Sequence, residues 1–150
     1  AVMAELDVRS VSFEELLVQS DVVSLHVPLL KTTYHLIGET ELERMKPTSI
    51  LINTSRGPIV DSLALAKALQ NGTIAGAAVD VLEEEPAAAD DPLVGLPNII
   101  ITPHNAGRHA LLLDDFCRLG LQTAIDLSQY KWPVSYVNPE VVPRWDMPKR

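Results

Sequence analysis

Cysteine is nearly missing: Cys117 is the single thiol in 150 residues. No internal disulfide can form, which fits a reducing compartment and points to a cytoplasmic protein. Long apolar runs are missing as well, and none nears the roughly 20 residues that a membrane helix needs. The opening AVMAELDVRS has no basic flank ahead of an apolar stretch, so it is not a secretory signal. Without an initiator Met, it reads as a chain that begins in the middle of something. Positive charge is scarce, with 12 Lys and Arg against 20 Asp and Glu and a net charge of −8. No basic patch of the kind a nucleic-acid binder carries is visible. Neither an HxxxH spacing nor a Cys/His cluster is present, so no metal centre is expected. Gly38, Gly57, Gly72, Gly76, Gly95, Gly107 and Gly120 stand singly and never form GxGxxG. These 150 residues therefore hold no glycine-rich turn of the sort that cradles a pyrophosphate.

What is present is globular: 47% of the residues are apolar, and the length suits one domain with a real core. Short apolar runs alternate with helical patterns, the signature of an α/β domain on a parallel sheet. The runs are Val22–Leu25, Ile50–Ile52, Ala75–Val81 and Ile99–Ile101. They are apolar on consecutive positions, as in strands covered by helices on both faces. Between them, Ser12 to Gln19 places Phe13, Leu16 and Leu17 at helical spacing, with Ser12 and Glu15 in capping-box register. Asp61 is placed to cap a helix whose face is Leu65, Ala68 and Leu69, and Gly72 to end it. A longer helix is expected over residues 107–129, with an inward stripe of Leu113, Phe116, Cys117, Gly120, Ala124 and Leu127. Pro133, Pro139, Pro143 and Pro148 make the remainder an extended tail.

Ligands of open α/β sheets bind beyond the carboxyl ends of the strands, and those ends are chemically loaded here. Arg56 follows a strand and precedes Gly57. Its planar guanidinium suits a carboxylate, and the plainer reading is a surface Arg satisfying local carbonyls. Glu83 and Glu84 read as a solvated loop. Glu85 differs because Pro86 restrains it to an extended backbone, which would aim its carboxylate. Asp80 at a strand terminus either closes a turn or accepts from a ligand amide. His104, after Thr102-Pro103, is the side chain best suited to exchange a proton near neutral pH, and a carboxylate at its other ring nitrogen would fix its tautomer. His26, His35 and His109 lack such a context and are expected to be structural or solvent-facing.

Taken in order, these segments resemble the D-isomer-specific 2-hydroxyacid dehydrogenases, a group with phosphoglycerate, glycerate and lactate dehydrogenase relatives. His26-Val27-Pro28-Leu29 with Thr33 to Gly38 resembles the family's strand-end stretch. Met45-Lys46-Pro47 and Ile50 to Gly57 resemble its arginine signature. Val60-Asp61 to Glu85-Pro86 resembles its glutamate segment, and Asn98 to Gly107 its histidine segment. The resemblance runs from about Phe13 to Val142. It implies a partial Rossmann-like, doubly wound parallel sheet, the second half of an NAD(P)-binding domain over residues 1–130. Residues 131–150 would return to the substrate domain in a full-length relative.

The activity implied is hydride transfer between NAD, or NADP, and C2 of a small 2-keto or 2-hydroxy acid. Arg56 would bind the substrate's carboxylate and carbonyl, His104 would exchange the proton, and Glu85 would hold His104 and favour its protonated form. Asp80 would accept from the nicotinamide carboxamide, while Val27, Pro28, Thr54, Ser55, Arg56, His104, Ala106 and Gly107 would line the nicotinamide end. Arg56, Glu85 and His104 are expected on one cleft at the carboxyl edge. A homo-oligomer in full-length form, without nucleic-acid or membrane partners, is implied too. The same family holds corepressors that keep the fold and use NAD as a structural or sensing ligand, and fold alone does not separate the two classes.

Overall fold

The computed structural model describes residues 8–108, 112–133, 140 and 142. The chain divides into two compact units, one ending at Ala106 and the other beginning at Gly107. In the first unit the elements run α1 (Phe13–Gln19), β1 (Val22–Leu25), α2 (Glu39–Arg44), β2 (Ile50–Asn53), a 3-10 turn (Gly57–Ile59), α3 (Ser62–Asn71), β3 (Gly76–Val79) and β4 (Ile99–Ile101). The second unit contributes α4 (Leu112–Ser128). All four strand segments expected from the apolar runs are strands, and they form one parallel sheet in the order β1-β2-β3-β4.

Register aligns the strand ends. Leu25 pairs with Asn53, Asn53 with Val79, and Val79 with Ile101. Residues 26–29, 54–56, 80–86 and 102–106 therefore leave the sheet along one edge. This is where an α/β sheet places its ligands.

The core lies on one face. Val23, Leu25, Leu51, Ala77 and Val79 cluster with Leu17 of α1, Leu42 of α2, and Leu65 and Leu69 of α3. The opposite face is only partly covered, with Val22, Ile50 and Ile100 at 52%, 41% and 66% exposure. Among the described residues of this unit the expected cover is found on one face only, for a topological reason. Parallel crossovers are right-handed, so a sheet whose strands advance in one direction collects its crossover helices on one side. Winding on the second side requires a reversal of strand order, and the order here does not reverse.

Local chemistry explains the helix ends. Ser12 accepts from the Glu15 N–H at 3.1 Å and caps α1. The Glu15 carboxylate turns away to Arg9 and Gln19, so the reciprocal half of the expected capping box is replaced. Leu17 is buried, whereas Phe13 and Leu16 are exposed. Asp61 caps α3 through the Ala64 N–H at 3.0 Å, and Gly72 ends it at φ 69°, a left-handed position that glycine adopts without a Cβ penalty. Helix α4 is shorter than expected. Its expected inward residues Leu113, Phe116, Cys117, Gly120, Ala124 and Leu127 are exposed. An apolar stripe is buried only where a facing element supplies the other wall, and α4 is the only described element of its unit. Residues 131–133 are non-helical, and most of the expected tail lies outside the described residues.

Candidate active site

Four strand ends supply the site. After β2, the buried Asn53 builds the turn: its Nδ2 donates to the Arg56 carbonyl at 2.9 Å and its Oδ1 accepts from the Ser55 N–H at 3.0 Å. Ser55 Oγ donates to the Leu25 carbonyl at 2.6 Å and ties this turn to the end of β1. A cavity of about 570 Å³ opens here, lined by His26, Val27, Pro28, Leu29, Thr54, Ser55 and Arg56. Five of these are the expected cofactor-side residues Val27, Pro28, Thr54, Ser55 and Arg56. The Arg56 side chain is exposed, and its Nη1 donates to the Ser55 carbonyl at 2.7 Å.

After β3, Asp80 is buried at 4% exposure. Its Oδ1 accepts from the Thr102 hydroxyl and from the Asn105 N–H at 2.8 Å, and its Oδ2 accepts from the Ala106 N–H at 2.8 Å. Its carbonyl accepts from the His104 N–H at 2.9 Å. Burial pushes this carboxyl up; the Thr102, Ala106 and Asn105 hydrogen bonds and the nearby His104 outweigh it, so its pKa lies below the ordinary value. Asp80 thus organises the whole 102–106 loop. That is the turn-closing reading.

The loop it organises presents His104. Its φ is +52°, a left-handed conformation that a residue with a Cβ rarely adopts. His104 Nδ1 lies 2.8 Å from Glu85 Oε2. The other carboxylate oxygen, Glu85 Oε1, accepts from the Leu82 N–H at 3.0 Å. Chiefly because of the bond to His104, and then that from Leu82, the Glu85 pKa is held below the usual value. An ionised carboxylate only accepts, so Nδ1 must carry the proton in this pair. Nε2 is then left without a hydrogen-bond partner among the described residues. Glu85 and His104 line a cavity of about 420 Å³ with Asp80, Leu82, Pro86, Ala87, Ile101, Thr102 and Pro103.

Glu85, His104 and Asp80 therefore meet in one cavity. Arg56 lines a second cavity along the same edge of the sheet. Ala106 reaches the site through its N–H to Asp80, and Gly107 begins the second unit. His109 lies outside the described residues.

Sequence reasoning missed three contributors. His35 was expected to lack a carboxylate context, yet its Nε2 lies 3.1 Å from Glu83 Oε2 and its Nδ1 3.6 Å from Asp61 Oδ2. Glu83, expected as a solvated residue, also accepts from the Ser62 N–H at 2.7 Å. The backbone of Gly57 lies directly against the Leu82–Glu83 peptide, so that a Cβ there would sit 1.8 Å from the Leu82 carbonyl oxygen. Only the last left a local signal, a glycine directly after the strand-end arginine.

The sequence and the fold match those of known proteins. Residues 1–106 match the model of the D-isomer specific 2-hydroxyacid dehydrogenase, NAD binding domain. A glyoxylate reductase of Korarchaeum cryptofilum is 49% identical over 138 residues, which are 92% of this chain and 42% of that protein. Among solved structures, the NAD-complexed D-isomer specific 2-hydroxyacid dehydrogenase of Lactobacillus delbrueckii ssp. bulgaricus superposes with a TM-score of 0.80 at 34% identity, over 89% of this chain and 44% of that one. A D-lactate dehydrogenase from Sporolactobacillus does so at 0.78 and 39% identity, over 86% and 43%. The chain spans less than half the length of these relatives. With its NAD-binding model matched over 106 residues and its fold shared with solved relatives, the chain belongs to the D-isomer specific 2-hydroxyacid dehydrogenases.

Proposed function

We propose that this chain supplies the proton-transfer and substrate-carboxylate groups of an NAD(P)-dependent oxidoreductase that interconverts a small 2-keto acid and its D-2-hydroxy acid. The single observation that carries the proposal is the Glu85–His104 pair, 2.8 Å apart at the carboxyl edge, with Nε2 left to exchange a proton. Glyoxylate is the first substrate to test, because the relative from Korarchaeum cryptofilum is a glyoxylate reductase.

The residues present suit the nicotinamide end of such a cofactor. Both cavities fall within the roughly 300–1,000 Å³ of small-molecule sites. Val27, Pro28, Thr54 and Ser55 would line it, with Ala106 and Asp80 at the carboxamide. The pyrophosphate end needs a glycine-rich turn, which these residues do not include. When bound, the cofactor supplies the hydride.

This chain's residues do the rest. Arg56 exchanges its bond to the Ser55 carbonyl for the substrate's carboxylate and thereby directs C2 along the edge. His104 gives its Nε2 proton to the ketone oxygen as C2 is reduced, and takes it back in oxidation. Glu85 keeps the Nδ1 proton in place, holds the ring orientation and stabilises the imidazolium. Asp80 keeps His104 in its left-handed conformation. The relatives described above are named for dehydrogenase or reductase activity, which favours an enzyme over a corepressor-like NAD sensor.

No described helix is long and apolar enough to cross a membrane. We place the protein in the cytoplasm on its single cysteine, with residues 1–130 as nucleotide-domain sequence, residues 131–150 as the return toward a substrate domain, and the full-length form as a homo-oligomer. Steady-state reduction of glyoxylate by the protein as encoded tests the function. His104→Ala is expected to lower kcat by about 10²–10⁴-fold, and an unchanged kcat would overturn the assignment.

A further inference from the structure

Glu83 and His35 form a second histidine–carboxylate pair on the same loop as Glu85, outside both cavities of the proposed site. Glu83 uses both oxygens. Oε1 accepts from the Ser62 N–H at 2.7 Å, at the start of α3, and Oε2 meets His35 Nε2 at 3.1 Å. His35 is anchored in turn. Its backbone N–H donates to the Pro58 carbonyl at 2.9 Å, its ring stacks on Tyr34 with centroids 4.0 Å apart, and its Nδ1 faces Asp61 at 3.6 Å. It holds φ +48°, so the backbone is held in an uncommon conformation to present the ring. Three segments, 33–37, 57–62 and 82–85, are joined at this point.

The consequence falls on Glu85. Its Oε1 is fixed by the Leu82 N–H, one residue before Glu83, and its Oε2 reaches His104. Behind Leu82 and Glu83 stands the Gly57 backbone, too close to admit a Cβ. The loop is therefore pressed against Gly57 from one side and tied by Glu83 to α3 and His35. We propose that Glu83, held by His35 and the Ser62 N–H, is the positioning residue that sets the Glu85 carboxylate on His104. The proposal rests on the catalytic reading of the Glu85–His104 pair. Glu83 touches neither substrate nor cofactor in this account, and its action runs through the loop. Glu84, exposed and without a hydrogen bond among the described residues, takes no part.

The test compares E83A, E83Q, H35A, E84A and E85Q in the protein as encoded. It uses glyoxylate kinetics and the NMR signal of the His104 Nδ1 proton, which is retained only while Glu85 accepts it. Misplacement on the ångström scale costs up to about 10²-fold. E83A is expected to lower kcat about tenfold with little change in KM and to broaden or lose the Nδ1 proton signal. E83Q should recover most of both, because its carboxamide oxygen still accepts from Ser62 and its NH2 still reaches His35. H35A should give a smaller loss, roughly threefold, and E84A none. If E83A does not fold, H35A decides by the same two readouts. Unchanged kcat and an intact Nδ1 signal in E83A or H35A, beside an E85Q variant that loses both, would overturn the positioning role and leave the catalytic reading standing. Unchanged kcat in E85Q would instead sink the catalytic reading. The Nδ1 signal in E83A then decides positioning on its own: its loss supports the role and its retention refutes it.

Discussion

Gly57→Ala is the smallest change that should separate the arginine turn from the glutamate loop. The added Cβ would stand 1.8 Å from the Leu82 carbonyl oxygen, 2.0 Å from its carbon and 2.5 Å from the Glu83 nitrogen, all of them backbone atoms that no rotamer change can move. To reach an ordinary contact the loop must retreat by about 1.6 Å, and overpacking of this kind costs about 1–3 kcal/mol. The retreat would carry Leu82 N–H away from Glu85 Oε1, and with it the carboxylate that meets His104 at 2.8 Å. A shift of that size at a catalytic pair costs up to about 10²-fold in turnover. The control is Gly95→Ala, where φ is +88° but nothing lies within 4 Å. It should cost about 1 kcal/mol in stability, for the left-handed backbone alone, and leave kcat as it was. Thermal melts and glyoxylate kinetics on both variants read the difference. If Gly57→Ala melts and turns over like the parent, the loop is not braced on Gly57.

Other outcomes follow from the same geometry. Arg56→Ala should raise KM for the keto acid by roughly 10–100-fold, the worth of a charge-assisted contact of about 1.5–3 kcal/mol, and steady-state kinetics check it. Asp80 and Glu85 both have folded pKa values below the ordinary carboxylate value. Their contribution to stability is therefore full above about pH 5 and is lost as pH falls through the folded values. Melting temperature against pH should drop in that acid range, and the drop should be shallower in Glu85→Gln. An equal drop in the variant would refute the linkage. A polypeptide of these 150 residues alone should bind NAD weakly, since it lacks the pyrophosphate turn; micromolar affinity by calorimetry would contradict this.

Much of the fold was legible because the signals are local. Apolar runs marked all four strands, and Asp61 with Gly72 bounded α3 because a cap and a left-handed terminus are set by single residues. The six-residue α2 has one buried residue, Leu42, and therefore no stripe to read. Its start rests on the Glu41 carboxylate reaching back to the Gly38 N–H at 3.1 Å. The uncovered sheet face was not legible either, because apolar content reports what a strand can bury, not which helices reach it. At the site, Glu85 and His104 stood out through Pro86 and the strand end. Glu83 and His35 are 48 positions apart and meet only in the fold, so neither spacing nor residue type marked them. Asp80 was legible as a turn former, though not as the acceptor that holds three separate donors of one loop.

In the proposed reaction His104, held by Glu85, exchanges the proton while C2 of a keto acid takes a hydride. The most direct test follows deuterium from the transferable position of a labelled nicotinamide cofactor into glyoxylate, read by mass spectrometry of the product. The protein as encoded should yield singly labelled glycolate, and His104→Ala should yield little in the same time. Glycolate without label, or label transferred by His104→Ala at the parent rate, would rule out this reaction.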